Sequence, residues 1–289
     1  MSKKEVQVKE ESKDVVIDSF LDELTADSET YKESLSQDDM AIPFLVILQA
    51  LSPACTEGDP GYIEDARPGM LFNTVTKEVY DAKKDPLLIL PVAYKSSYIE
   101  WVPRSTGKGG FVAEHSAAGG LQAITIRNDD NEDIVQANSP IGQPGNQLAY
   151  THTHFIFVID KDTGIGEPAV LTMASSQIKH SKKFNQMVNN LKLPNSNKGA
   201  PRFFGIWELS TELETKGDNK WQSWSFKKSS DVVEFKGGKE LYHSAKEFND
   251  GLKSGEHKAE YDKVAPEARE NPSLDPVPAD AEEDSEIPF

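Results

Sequence analysis

Through most of this chain apolar residues come in short β-branched or aromatic runs broken by turn residues, and the spacing turns helical only near the middle and towards the end. Between Ala41 and Arg127 the runs at 87–92 (LLILPV) and 121–126 (LQAITI) are separated by Pro60-Gly61, Pro68-Gly69, Gly109-Gly110 and Gly119-Gly120. Pairs of this kind punctuate strands with loops. Residues 128–145 (NDDNEDIVQANSPIGQPG) are polar and turn-rich and predict a long exposed loop. Residues 151–160 (THTHFIFVID), a turn over 161–166 and 169–173 (AVLTM) predict a hairpin. Ser175 or Ser176 can then cap a helix in which Phe184, Met187, Val188 and Leu191 follow at i, i+3, i+4 and i+7, ending near Leu193-Pro194. Strands at 202–213 and 220–226 flank the turn Gly217-Asp218-Asn219, and a last helix covers about 239–252.

The expected fold class is therefore β-rich α+β. Strand, strand, helix, strand, strand over about 150–228 resembles the five-stranded barrel with an inserted amphipathic helix of the OB architecture. The predicted unit is thus an OB-like β-barrel or sheet, with a generic α+β sandwich as the alternative.

Charge changes the picture at the ends. The net charge is −17, but residues 1–40 hold 12 Asp/Glu against 5 Lys, and residues 267–289 hold 8 Asp/Glu against Arg269 alone. We expect an acidic arm over 1–40, with a short amphipathic stretch at 15–24. A β-rich nucleic-acid-binding domain follows over 41–264, and a disordered acidic tail over 265–289. The middle is nearly neutral, and residues 168–207 carry Lys179, Lys182, Lys183, Lys192, Lys198 and Arg202 with no acid. Lys179, Lys182, Lys183 and Gln186 fall off the apolar stripe of the predicted helix, so one helix face packs while the other is cationic. A wholly basic stretch on an acidic chain points to a phosphate-bearing partner, although lysines that merely solvate a helix face are the plain alternative.

Composition excludes several classes. One cysteine, Cys55, allows no intramolecular disulfide and no cysteine zinc cluster, which suits a reducing cytoplasm. The apolar run at 42–51 is too short to span a bilayer, and the lysines at the N-terminus precede no apolar stretch, so we expect neither a membrane partner nor a secretory signal.

Aromatic residues interleave with cations twice. Tyr94, Lys95, Tyr98, Trp101, Arg104 and Lys108 cluster in YKSSYIEWVPRSTGK. Arg202, Phe203, Phe204 and Trp207 join Lys220, Trp221, Trp224, Phe226, Lys227 and Lys228 in the second set. Single strands are bound by stacking bases on aromatic faces while cations track the backbone, which is the chemistry these sets supply. We expect Lys179, Lys182, Lys183, Lys198, Arg202 and Arg104 on phosphates, and stacking from Tyr94, Tyr98, Trp101, Phe203, Trp207 and Trp224. Trp221 and Trp224 are three apart and face opposite sides of a strand, so one of them belongs to the core.

His152 and His154 share a strand face and can hold a metal together, but no third ligand is signposted and satisfied strand histidines are the simpler expectation. Gly107-Lys108-Gly109-Gly110 lacks the spacing of a phosphate-cradling loop. With no nucleophile or carboxylate motif, we expect no enzyme and no cofactor.

The most specific signal is the end of the chain, Asp284, Ser285, Glu286, Ile287, Pro288 and Phe289. Two hydrophobes beside a free carboxylate suit capture in a pocket, with the preceding acids steering towards a basic rim. This tip resembles that of bacterial single-stranded DNA-binding proteins, whose tails end in aspartates followed by Ile-Pro-Phe and recruit replication and repair enzymes. Asp284, Ile287, Pro288 and Phe289 match it, while Ser285 and Glu286 stand where the pattern has acids. The bacterial core sequence is absent. A basic, aromatic β domain with an acidic tail also resembles the single-stranded DNA-binding proteins encoded by bacteriophages. The resemblance implies non-sequence-specific binding of single-stranded DNA in replication, recombination or repair, within the host cytoplasm. Replication or recombination proteins would bind through the tip, and homo-oligomerisation is left open. Two alternatives are an adaptor or mimic that uses the tip without binding DNA, and a metal-dependent nucleic-acid enzyme built on the histidine pair.

Overall fold

The apolar run at 87–92 is only the beginning of a strand: β4 extends over Leu87–Val102 and pairs antiparallel with β8, Gln147–Ile159, along nearly all of its length. Both segments alternate β-branched and aromatic residues with polar ones and contain no glycine, the composition that favours a long, half-buried pleated ribbon. The computed structural model describes residues 41–103, 110–117, 122–129 and 132–261.

The other strands divide the two edges of this ribbon between them. On β4, Leu87, Leu88 and Ile89 pair with β10 (Gly205–Lys216), whereas Ser97 to Val102 pair with β5 (Gly110–Ser116). On β8, residues 151–159 pair with β9 (Gly166–Ala174), and Gln147 meets β7 (Asp133–Val135), which pairs in turn with β6 (Thr125–Arg127). β11 (Asn219–Asp231) forms a hairpin with β10 whose two-residue turn starts at Gly217, φ +59°, a conformation that suits glycine. One end of the ribbon therefore reads β11-β10-β4-β8-β9 and the other β5-β4-β8-β7-β6.

A small sheet of β1 (Leu45–Ile47), β2 (Leu71–Asn73) and β3 (Val79–Tyr80) lies beside the first end. Phe44 bridges Val170 of β9 in parallel, and the Gln49 side chain both donates to Gln222 O at 3.0 Å and accepts from Gln222 N at 2.9 Å on β11.

The fold is thus β-rich α+β, mostly antiparallel sheet with two helices among the described residues, but the closed barrel expected over 150–228 does not form there. No ladder joins β9 to β11; residues 43–49 stand between them. The strand set also draws on β4, outside the expected limits.

Each face of the ribbon has its own core. α1 (Ile178–Asn189) seats Phe184 and Val188 against Ile89, Ile156, Leu171, Trp207, Leu209 and Trp224. α2 (Gly238–Ser254) seats Leu241, Ala245 and Phe248, spaced i, i+4 and i+7, against Phe155, Phe157, Leu90 and Ile99. It approaches β9 so closely that a Cβ on Gly166 would lie 2.6 Å from Leu241 Cδ1 and 2.8 Å from Phe157 Cδ2.

Local expectations are corrected in two places. No serine caps α1: Ser175–Gln177 is a 3-10 turn with Ser175 at φ +45°, and the helix ends at Asn189, short of Leu193-Pro194. The segment 128–145 is not simply an exposed loop, because it contains β7 and buries Val135 and Ile141 against Leu148.

Trp207 keeps only 2% of its surface and meets Phe184 edge-on at 5.3 Å. Replacing it with alanine should cost about 3–5 kcal/mol in a urea unfolding titration, the usual loss for an aromatic removed from a core. A loss below about 1 kcal/mol would show that the ring does not hold this core together.

Candidate functional site

Alternation along β4 and β8 sorts the first aromatic set onto opposite faces. Tyr94, Ser96 and Tyr98 face the α1 side, opposite His154, His152 and Tyr150 across the ladder. Lys95 and Trp101 face the α2 side, where Lys95 pairs with Glu114 at 2.7 Å and Trp101 packs edge-on to Phe111 at 5.8 Å. Trp101 therefore does not share a surface with the two tyrosines.

On the α1 side the rings form a continuous row. Centroids run from Tyr98 to Tyr150 at 5.2 Å, Tyr150 to His152 at 5.3 Å, His152 to Tyr94 at 5.3 Å and Tyr94 to His154 at 5.1 Å. His152 meets both tyrosines edge-on and stands as a wedge between them. Tyr94 and Tyr150 keep 37% and 38% of their surface while His152 and His154 keep 4% and 0%, so the row opens to solvent at these two tyrosines.

The row is bounded on both sides. At one end the carboxylate of Glu100, 1% exposed, accepts from Gln143 N at 2.8 Å, Asn146 Nδ2 at 2.6 Å and His115 Nε2 at 2.7 Å, which ties the 143–146 segment to β4. Burial would raise its pKa, but the donors from Asn146, Gln143 and His115 prevail and hold it below the usual range.

At the other end lies α1. Ser181 Oγ is 2.7 Å from both His152 Nδ1 and His154 Nε2, and Arg202 Nη2 is 2.9 Å from His154 Nδ1. A guanidinium only donates, so the direction is fixed at His154. His154 Nδ1 accepts and its Nε2–H donates to Ser181, whose hydroxyl can then donate to His152 Nδ1 or accept from it. His154 is neutral in this arrangement. Burial pushes the His154 pKa well below its ordinary value, with Arg202 adding to the effect; burial and the Lys182 charge lower that of His152.

Arg202 reaches this position from the 3-10 turn Arg202–Phe204. Its guanidinium lies over Tyr94 at 5.6 Å and Phe184 at 5.9 Å. Burial lowers its pKa to about 10.

Of the other expected cations, Lys182 and Lys183 are exposed on α1 and meet no carboxylate among the described residues. Lys179 is paired with Glu214 at 2.7 Å and lies 5.9 Å over the ring of Trp221. Lys198 is exposed in the connection that follows α1.

Three expected stackers belong to the core instead. Phe203 packs against Tyr242 at 5.1 Å, and Trp207 and Trp224 keep 2% and 3% of their surface. No base can reach them without opening the sheet. Arg104 and the tip residues Asp284, Glu286, Ile287, Pro288 and Phe289 lie outside the described residues. Sequence reasoning missed Tyr150 and the part of His152 in the row, although Tyr150, His152 and His154 recur at period two, the signal of one strand face.

The nitrogens that His152 and His154 turn towards each other are both engaged by Ser181, so the pair is not arranged to share a metal. A second cluster, His180 with Glu212 and Glu214, places His180 Nε2 2.9 Å from Glu214 Oε1, but Lys179 already holds the other Glu214 oxygen.

The result is a β-rich α+β protein with an open tyrosine row beside a cationic helix. The family model described as Pam3 phage gp34-like protein matches residues 9–258, and the chain belongs to that phage family. No curated protein and no solved structure matches it.

The buried histidines give stability a defined pH dependence. His154 has its folded pKa depressed below 6.5, so as pH falls past 6.5 the unfolded chain takes a proton that the folded chain refuses, and stability drops until the folded value is reached. Glu100 adds to this: its stabilisation is present above its ordinary value of 4.5 and is lost as pH falls through the depressed folded value. Urea midpoints should therefore fall with acidification from about pH 6.5 downwards, and His154→Gln should flatten the decline between about pH 6.5 and 5. Identical slopes for the two proteins would show that His154 is not the titrating group.

Proposed function

We propose that this protein binds single-stranded DNA without sequence preference, in phage replication, recombination or repair. The observation that carries this reading is the pair of open rings Tyr94 and Tyr150, in one row with Tyr98 and beside Arg202 and the helix that carries Lys182 and Lys183, cations that meet no carboxylate among the described residues. Stackable rings and unneutralised cations on one surface are what a sequence-tolerant single-strand site needs. Strand order lends further support. At the first end of the ribbon β4, β8 and β9 are followed by α1 and then the β10–β11 hairpin, with spatial order β11-β10-β4-β8-β9. A partly open five-stranded Greek-key barrel with a helix after its third strand has this connectivity, and such OB architectures bind single strands.

On this reading the tail ending in Ile287, Pro288 and Phe289 recruits replication or recombination proteins. It also competes with DNA for the basic surface, as an acidic segment tethered to the same chain must. The protein then works as a scaffold for DNA and enzymes, not as an enzyme.

Fluorescence anisotropy of labelled oligo(dT), with duplex as control and salt as variable, tests this directly. Tight, salt-sensitive binding that prefers single strands is expected, and Tyr94→Ala and Tyr150→Ala should each weaken it by about tenfold or more, the loss of one stacked base. Lys182→Glu with Lys183→Glu should weaken it and lower the salt slope by about two. Absence of binding at low salt would leave the chain as an adaptor that acts through its tip.

Removing residues 267–289 gives an independent expectation, checked in the same titration: DNA affinity stays or rises. Loss of binding on this deletion would contradict competition by the tail.

A further inference from the structure

Arg202 is a cation with more donors than its surroundings use. Among the described residues His154 Nδ1 is the one hydrogen-bond acceptor it meets, its buried Nε has no partner, and no Asp or Glu lies within ion-pair distance. A buried charge left in this state is costly, and removing it from an otherwise apolar setting is often neutral or stabilising. The surroundings nevertheless fix the group rather than release it to water. Tyr94 and Phe184 hold the guanidinium, and His154 Nδ1 accepts a hydrogen bond from its Nη2. His154 is held in turn by Ser181 of α1, so it cannot turn away without breaking the link between helix and sheet.

From this geometry we infer that Arg202 is a preformed receptor for one phosphate group, bound through the guanidinium fork at the edge of the Tyr94 ring. An arginine presents N–H groups in a planar arrangement that matches phosphate oxygens two at a time, and here the plane is set before any ligand arrives. Tyr94 then serves two partners. Arg202 lies against its ring, and the open part of the same side chain is available to a base, so phosphate and base of one nucleotide meet adjoining groups. Lys182, whose charge is felt at His152, adds positive potential to the same side of the row. As a receptor for a nucleotide strand this inference rests on the DNA-binding reading; as an anion site it does not need it. The phosphate can be an internal phosphodiester or a terminal 5′-phosphate.

The test uses the full chain and two probes. First, thermal unfolding is followed in inorganic phosphate against sodium chloride at equal ionic strength. Wild type should gain melting temperature in phosphate beyond the chloride control, and Arg202→Gln should lose that gain while melting no lower than wild type in chloride. Arg202→Lys, which keeps charge without the fork, should retain only part of it, and it carries the comparison if Arg202→Gln fails to fold. An equal gain in wild type and both variants, or no gain in wild type, overturns the anion site.

Second, oligo(dT) with and without a 5′-phosphate is titrated by anisotropy. Equal affinity of the two oligonucleotides, with about tenfold weakening of both in Arg202→Gln, assigns an internal phosphodiester. Tighter binding of the phosphorylated strand that disappears in Arg202→Gln assigns the terminal group. Unchanged binding of both strands in Arg202→Gln overturns the receptor. A phosphate gain in melting temperature without oligonucleotide binding keeps the anion site and removes the DNA-binding reading, so the two failures are distinct.

Discussion

The antiparallel pairing of β4 with β8 is the constraint on which both faces of this molecule depend, and its critical point is a proline. Pro91 has no N–H to give to a ladder, and the register of β4 against β8 shifts between Pro91 and Ala93, with Val92 as the additional residue. The shift resets the phase of the strand. Leu90 and Ala93 both serve the α2 core, and Tyr94, Ser96 and Tyr98 return to the side occupied by α1. Had the strand run on without it, alternation would have sent Tyr94 and Tyr98 under α2 and Lys95 and Trp101 towards α1, because a one-residue slip exchanges every side chain between faces. The same region is where β10 leaves the edge of β4, and β5 takes that edge over further along. One irregularity thus accompanies both the branching of the sheet and the exposure of the aromatic row.

The way α1 is seated links fold to chemistry. A helix held only by Phe184 and Val188 would be free to adjust along the sheet by small repacking, but Ser181 fixes it through two hydrogen bonds to histidines of β8. Those histidines are affordable in a buried layer because they are neutral and satisfied in sequence by the serine and by Arg202. The positions of Lys182 and Lys183 relative to the tyrosines follow from this anchor, one and two residues further along the helix. A polar network that looks like a candidate metal pair in the sequence therefore acts as a positioning device.

Much of the fold was legible because it is local. The hairpin of β8 and β9, the hairpin of β10 and β11, the amphipathic helices and the turn at Gly217 follow from periodicity and turn chemistry within short windows. What was not legible depends on long-range pairing. Nothing near residue 94 shows that β4 continues for ten residues past its apolar run, since YKSSYIEW is polar and pairs with residues of β8 from Gln147 to His154, far along the chain. The aromatic set at 203–224 misled for a related reason: composition does not separate a stacking ring from a core ring, and Trp207 and Trp224 pack in the core under α1. Tyr150 was overlooked because the histidines after it drew the chemistry, although all three share one face. The isolated barrel expected over 150–228 failed because its first strand lies sixty residues upstream, across an insertion that forms β5, β6 and β7.

The structure also narrows the basic surface that the sequence suggested. Six cations without an acid over 168–207 looked like a broad positive face, but folding brings Glu214 to Lys179, and little net charge remains at that point. What stays unneutralised near the row is Lys182, Lys183 and Arg202. At about 0.1 M salt, exposed charges farther than about 10 Å are largely screened, so the net −17 of the chain bears on this site only through acids that come close to it. With so few cations, counterion release supplies a modest part of any affinity for a strand, at about one released ion for each phosphate contacted. On the DNA-binding reading, the open rings of Tyr94 and Tyr150, at about 1–3 kcal/mol each, outweigh that at moderate salt. The order of importance is then the reverse of what the lysine-rich helix first suggests. On the DNA-binding reading, the tyrosines of β4 and β8 hold the strand, and the cations of α1 with Arg202 orient it.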